Sequence, residues 1–342
     1  MAERAHGQVA SAPMTTALLF IASLLLVVVA AELFTNAIEW TGFQLHLGSG
    51  ATGSLLAALG TSLPETVVPI VALATHSPAA NSVATGAVLG SPFLLLTLGA
   101  GATGIAVVLR GGNRRLVIDP RQARRDLGVF LVAFSVAVAS SVFPSGARIA
   151  VGVALLAAYA GYVVATLRGS GPGSEMPEPL HIVRWRRGEP HPVLVSLQLV
   201  IAVGILILGS QLFVTALDQT ASALHVAALV LALVIVPVAT ELPETLNSVL
   251  WVRSNDDMLA FGNVAGSATF QSCVLASIGV VFTTWEPGAG GLISAGLTVA
   301  TAVFLLAMLW RGQARGGILA LAVLPWLIYV AAQLVTGGRL AL

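Results

Sequence analysis

The sequence predicts an all-α polytopic membrane protein of ten transmembrane helices, built as two inverted five-helix repeats. Three observations predict it. Of 342 residues, 57% are apolar and only 9% are charged, against about 25% charged in a soluble domain. The mean hydropathy of +0.93 has the same meaning. The apolar residues gather into ten runs, each long enough for the about 20 residues that span a bilayer. Three short blocks of the first half also recur, in order, in the second. A soluble enzyme, a disordered chain and a nucleic-acid binder are excluded by this composition.

The runs lie at roughly 14–37, 49–75, 80–109, 127–143, 147–167, 192–216, 222–250, 257–283, 290–310 and 316–336. The first is too long for the apolar core of a signal peptide, and no clean A-x-A site follows it, so it is expected to stay as a span. This divides the chain into an extracytoplasmic tail (1–13), a first repeat of helices one to five (14–167), a linker (168–191) and a second repeat of helices six to ten (192–342). The linker is the longest hydrophilic stretch and is rich in Gly, Pro and charge, as linkers are.

All 16 basic residues are arginine, which excludes a Walker A phosphate loop and Schiff-base chemistry on lysine. Cys273 is the one cysteine and no His lies in an H-E-x-x-H, so no disulfide and no Cys-based metal site is possible within one chain. Thirteen arginines follow odd-numbered spans (Arg110, Arg114, Arg115, Arg121, Arg124, Arg125, Arg168, Arg184, Arg186, Arg187, Arg253, Arg311 and Arg315). Only Arg4, Arg148 and Arg339 fall on the other side. The richer side is expected to be cytoplasmic, which puts both termini outside a multi-pass protein of the plasma or inner membrane. The arginine-rich segment 110–125 could also touch anionic headgroups, although the topology signal accounts for it more simply.

The repeat carries the chemistry. With an offset of 179, Glu32–Thr41 falls on Gln211–Thr220, and Thr61-Ser62-Leu63-Pro64-Glu65-Thr66 falls on Thr240-Glu241-Leu242-Pro243-Glu244-Thr245. With an offset of 176, Gly86-Ala87-Val88-Leu89-Gly90-Ser91 falls on Gly262-Asn263-Val264-Ala265-Gly266-Ser267. Each half has an odd number of spans, so the second enters the membrane from the opposite side, as in many secondary transporters.

An acid in the middle of a span costs about 2.5–3.5 kcal/mol on insertion scales. Glu65, Glu241 and Glu244 are all expected mid-helix. Positions 61, 62 and 65 share one helix face, as do 240, 241 and 244. Pro64 and Pro243 lack an N–H and free the carbonyls of Gly60 and Ala239. Hydroxyls, carboxylates and freed carbonyls form an all-oxygen set of the kind hard cations prefer. A proline kink with protonated glutamates is the plainer alternative, but the pattern occurs twice at matched positions. The G-x-x-x-G blocks read first as close helix packing. Ser91 and Ser267 just after them are the better site candidates. Asn263 is divided between an ion pathway and a bond to a neighbouring helix. Glu32, Glu39 and Asp218 are read at or near helix ends, solvated or pairing helices.

Gly60-Thr61-Ser62-Leu63-Pro64-Glu65 and Gly262-Asn263-Val264-Ala265-Gly266-Ser267 resemble the alpha-repeat signatures of the cation/calcium exchanger superfamily, the sodium/calcium exchangers. The resemblance covers both halves. It implies ten helices with outside termini and a central site between helices 2, 3, 7 and 8. It implies exchange of calcium against sodium or protons by alternating access, with no cofactor. Carried onto this chain, the site takes Thr61, Ser62, Glu65 and Ser91 from the first half, and Thr240, Glu244 and Ser267 from the second. Three positions depart from the family pattern. Leu95 replaces a polar residue, Gln271 stands where the family has Asn or Asp, and Glu241 replaces a hydroxyl. Glu241 and Gln271 complete the expected metal-ligand set.

The expected function is therefore a secondary cation antiporter, most simply of Ca²⁺ against Na⁺ or H⁺, and not an enzyme. Its expected partners are the lipid bilayer and the transported cations, with no nucleic acid and no obligate protein partner. Two other readings stand beside it: a degenerate, non-transporting family member with a structural or regulatory role, kept open by Leu95 and Gln271, and an intramembrane enzyme, for which no dyad or metal motif is visible. Three acids facing one divalent ion leave surplus negative charge, so one of them is expected to hold a shared proton.

Overall fold

The structure, a computed structural model, describes residues 2–45, 62–75, 79–111, 115–168, 176–185, 188–224 and 228–336. Among these, nine helices are long and apolar enough to cross a membrane, and a tenth is apolar but shorter. In chain order they are α1 (Ala2–Gln44), α2 (Leu63–Ala74), α3 (Ala80–Leu109), α4 (Pro120–Ala139), α5 (Ser145–Arg168), α6 (Pro192–Leu224), α7 (Ala228–Arg253), α8 (Asp257–Phe282), α9 (Gly288–Trp310) and α10 (Gly316–Val335). The protein is an all-α membrane protein of two inverted five-helix halves.

Several boundaries differ from expectation. Asp119 accepts a hydrogen bond from the Arg121 N–H at 2.8 Å, and Pro120 follows it. A capping side chain and a proline in the first turn start a helix, so α4 begins seven residues before the apolar run. Helix α1 continues to Gln44 and α6 to Leu224. Glu39 and Asp218 consequently lie within two turns of their helix ends, as expected, whereas Glu32 lies well inside α1. The span expected at 49–75 is described only from residue 62.

The central helices are α8, α3 and α7, with 83, 72 and 65% of their most apolar stretch buried, against 22–28% for α1, α5 and α10. Helix α3 packs along α7, and α2 packs on α3. The reason lies in the glycines of the first block. A Cβ at Gly86 would sit 2.5 Å from the Ala232 Cβ, and one at Gly90 would sit 2.6 Å from the Leu233 carbonyl oxygen. The α3–α7 backbones thus approach as small-residue motifs permit. The repeat differs here: a Cβ at Gly262 meets nothing within 4 Å, so this glycine does not serve close packing.

Both α3 and α8 contain one π-helical stretch, Leu95–Gly99 and Gln271–Leu275. They are 176 residues apart, the offset of the glycine blocks. Single π turns cluster at functional sites, and here they re-aim the residues that follow Ser91 and Ser267.

The loops sort to two ends. At one, Arg110 after α3 binds Asp257 at the start of α8 (Nη2 to Oδ2, 3.0 Å) and the Val252 carbonyl at the end of α7. Leu116 N–H also donates to the Ala314 carbonyl between α9 and α10 at 2.8 Å. Asp257 is buried, and its carboxylate raises the Arg110 guanidinium above its ordinary range. At the other end, Arg148 of α5 donates to the Thr284 carbonyl after α8. The Thr284 N–H donates to Asn81 of α3, and the Trp285 indole donates to Ala137 of α4 at 2.8 Å.

Helices α1 and α6 pack along one another, and the linker is strapped to both. The Glu178 carbonyl accepts from Asn36 (3.1 Å) and the Trp40 indole (2.8 Å). Gln198 accepts from Ile182 N–H and donates to Leu33 O and Asn36. Asn36 and Gln198 are buried, and each finds its partners in this one network, as buried amides require.

Candidate cation site

The site sits where α2, α3, α7 and α8 converge. Glu241 and Gln271 lie near the middle of α7 and α8. Glu65 lies elsewhere in its helix than expected. Ser62 adopts a non-helical conformation as N-cap, α2 starts at Leu63, and Pro64 and Glu65 fall in the first turn. Pro64 therefore breaks no ladder there, and the positive helix end faces the carboxylate. Helix α7, by contrast, runs through Pro237 and Pro243 without interruption, and Pro243 removes the N–H that would have engaged the Ala239 carbonyl.

Glu65, Glu241 and Glu244 come together. Each offers a carboxylate oxygen within 4.8 Å of the others, and all three side chains are fully buried. Gln271 joins them across the halves. Its amide nitrogen lies 2.9 Å from both oxygens of Glu241 and 3.3 Å from Glu65 Oε1. Ser62 lies beside Glu65, and Ser91 beside Glu241. Ser267 is buried one turn before Gln271 on α8. The hydroxyl of Thr240 donates to the Val236 carbonyl in its own helix at 3.2 Å, which leaves its lone pairs to accept or to coordinate. Gly60 and Thr61 lie outside the described residues. Leu95, also fully buried, supplies no polar atom.

Among the described residues, the buried oxygens Glu65 Oε2, Ser267 Oγ and Gln271 Oε1 have no hydrogen-bond partner. Buried polar atoms are nearly always satisfied, so a convergent group of orphaned oxygens marks a place for a ligand. The donors are all oxygen and up to three are carboxylates, a set that fits a hard cation such as Ca²⁺ and has no sulfur or nitrogen ligand for softer metals.

Sequence reasoning missed Ser248. Asn263 on α8 donates to the Glu244 carbonyl and to Ser248 Oγ, both at 3.1 Å. The Asn263 amide nitrogen thus bridges α8 to the α7 backbone at Glu244, while its Oδ1 has no hydrogen-bond partner among the described residues. Ser248 follows Glu244 by four residues and shares its face; that spacing was the available signal.

A polytopic helical fold with inverted halves and a buried acidic cluster between them is that of a secondary transporter. The chain belongs to the sodium/calcium exchanger protein family, whose model matches residues 15–168 and 194–335. Over 119 residues it is 30% identical to CaxA of Alkalimonas amylolytica; the match spans 34% of this chain and 37% of that one. Among solved structures, the fold resembles an H⁺/Ca²⁺ exchanger CAX (TM-score 0.76, 18% identity, 94% of this chain and 82% of that one). It also resembles the sodium-calcium exchanger NCX_Mj (TM-score 0.62, 20% identity, 93% and 98%) and native YfkE (TM-score 0.68, 16% identity, 93% and 92%).

Proposed function

We propose that this protein is a secondary antiporter that exchanges Ca²⁺ for Na⁺ or H⁺ across the cell membrane by alternating access. In this reading the arginine-rich end is cytoplasmic, both termini lie outside, and the halves 14–167 and 192–342 rearrange about a site near the bilayer midplane. The observation that carries it is the meeting of Glu65, Glu241 and Glu244, from both halves, within 4.8 Å in a fully buried setting. The family and the structural likeness to two kinds of calcium exchanger support the same reading.

Carboxylates of Glu65, Glu241 and Glu244 supply the charge a divalent ion needs, and Ser62, Ser91, Thr240 and Ser267 supply neutral oxygens; Thr61 is assigned by the repeat alone. Gln271 acts as a toggle. Its N–H groups compete with a cation for the oxygens of Glu65 and Glu241, and rotating the amide presents Oε1 as a ligand instead. The third acid gives a proton a place to bind in competition with calcium, which makes H⁺ a workable counter-ion. Leu95 removes one ligand from the first-half position, where a sodium site would draw on it.

The test is isotopic calcium uptake into proteoliposomes, first under an imposed sodium gradient and then under a proton gradient. Uptake driven by either supports antiport and names the coupling ion. No uptake under both gradients would leave the non-transporting reading.

A further inference from the structure

We infer that the groove between α4 and α5 is a binding site for one anionic phospholipid. The groove has a volume of about 740 Å³ and is walled by small and apolar side chains, including Gly128 and Ala133 of α4 and Ala158 and Gly161 of α5. These two helices pack inward on α8, and α4 also on α9, so the groove opens on the outer, lipid-facing flank, away from the cation site. Val132 and Val136 of the α4 wall are exposed along that flank.

The charge is confined to one end. Arg124 and Arg125 line the mouth at the start of α4, Arg121 lies one turn before them, and Arg168 lies one turn beyond Ala165, another wall residue. Asp119 and Asp126 are the neighbouring acids, so four arginines less two aspartates leave a net +2. Aromatic rings hold both mouth guanidinia in place. Arg124 lies 5.0 Å over the Trp310 ring, and Arg125 lies 5.2 Å over the Tyr162 ring and 3.1 Å from Asp126. Trp310 is 68% exposed, as a side chain at the headgroup level is. An apolar slot that ends in two oriented guanidinia, beside an interfacial tryptophan, matches an acyl chain below a phosphate. Guanidinia favour phosphate through bidentate hydrogen bonds, and basic pockets between helices recruit anionic lipid. A second copy of this chain would bring the same positive mouth against itself, so lipid is the better occupant.

The test is native mass spectrometry of the purified full-length protein, titrated with phosphatidylglycerol or phosphatidylcholine. One phosphatidylglycerol is expected to stay bound per chain, favoured by about fivefold per arginine. Arg124→Gln with Arg125→Gln should reduce that preference to parity. Gly161→Phe or Gly128→Leu should displace the lipid without disturbing the fold, because a Cβ at either glycine meets nothing within 4 Å; circular dichroism checks the helix content. Equal retention of the two lipids by the wild type overturns the proposal, since only bulk lipid is then bound. Unchanged phosphatidylglycerol retention in both groove-filling variants overturns it as well, as does cross-linking of two chains through positions 132 and 158 in place of bound lipid.

Discussion

The Gln271 amide nitrogen on α8 lies 2.9 Å from both carboxylate oxygens of Glu241 on α7, and 3.3 Å from Glu65 on α2. Two hydrogens therefore serve three oxygens belonging to both halves of the protein. Hydrogen bonds to charged groups are the strong ones, and a buried acceptor that loses them suffers the full desolvation cost. Gln271→Leu is expected to lower stability by roughly 1–3 kcal/mol, read as a fall in the thermal midpoint in detergent. An unchanged midpoint would show that the amide does not hold the two carboxylates together.

Glu241 is the residue that separates this site from its family's pattern. Carboxylates in such close quarters share protons as a set, and in the proposed antiport a divalent ion competes with that proton. Calcium uptake by the wild type is therefore expected to weaken as pH falls, and Glu241→Ser should flatten that dependence. The comparison requires uptake at several pH values with both proteins. The same flat profile and the same sodium dependence in both would make Glu241 a spectator.

The inverted halves and the acidic cluster were legible in the sequence because each rests on a pattern the chain must display: apolar runs of bilayer length, and T-x-L-P-E-T twice. The start of α4 was not, because Asp119 and Pro120 set it from outside the apolar run. The first-turn position of Glu65 was hidden too, since Pro64 serves equally as a mid-helix kink or a helix start. The π turns at Leu95–Gly99 and Gln271–Leu275 have no shared sequence signal: Pro92 precedes the first, and no proline precedes the second within α8. Asn36 and Gln198 belong to no motif, and their partners lie on the linker and on each other. Only the docked linker explains them.

The two glycine blocks align in sequence yet make different predictions. A methyl at Gly90 would meet the Leu233 carbonyl and Pro237 at 2.6 Å, whereas one at Gly262 meets nothing within 4 Å. Overpacking of this kind costs about 1–3 kcal/mol. Gly90→Ala should lower the thermal midpoint, while Gly262→Ala should leave it within error. Equal effects would contradict the assigned α3–α7 approach.

Arg110 and Asp257 join the end of α3 to the start of α8, with the Asp257 side chain 1% exposed. Removing Arg110 leaves the buried Asp257 carboxylate with the Val117 N–H still donating to it at 2.8 Å, so the cost falls at the lower end of the about 3–5 kcal/mol of a broken buried pair. Arg110→Ala should therefore be strongly destabilising, and Arg110→Ala with Asp257→Ala should recover much of the loss. A double variant as unstable as the sum of the singles would mean that the two residues are not coupled.

The central claim is that Glu65 and Glu244 are cation ligands, and isotopic calcium uptake by Glu65→Gln and Glu244→Gln, reconstituted beside the wild type, tests it most directly. The amide keeps the size of the side chain and removes the charge that a divalent ion requires. Each variant, inserted and folded, is predicted to take up calcium at the rate of empty liposomes. Normal uptake by either variant would remove that glutamate from the site.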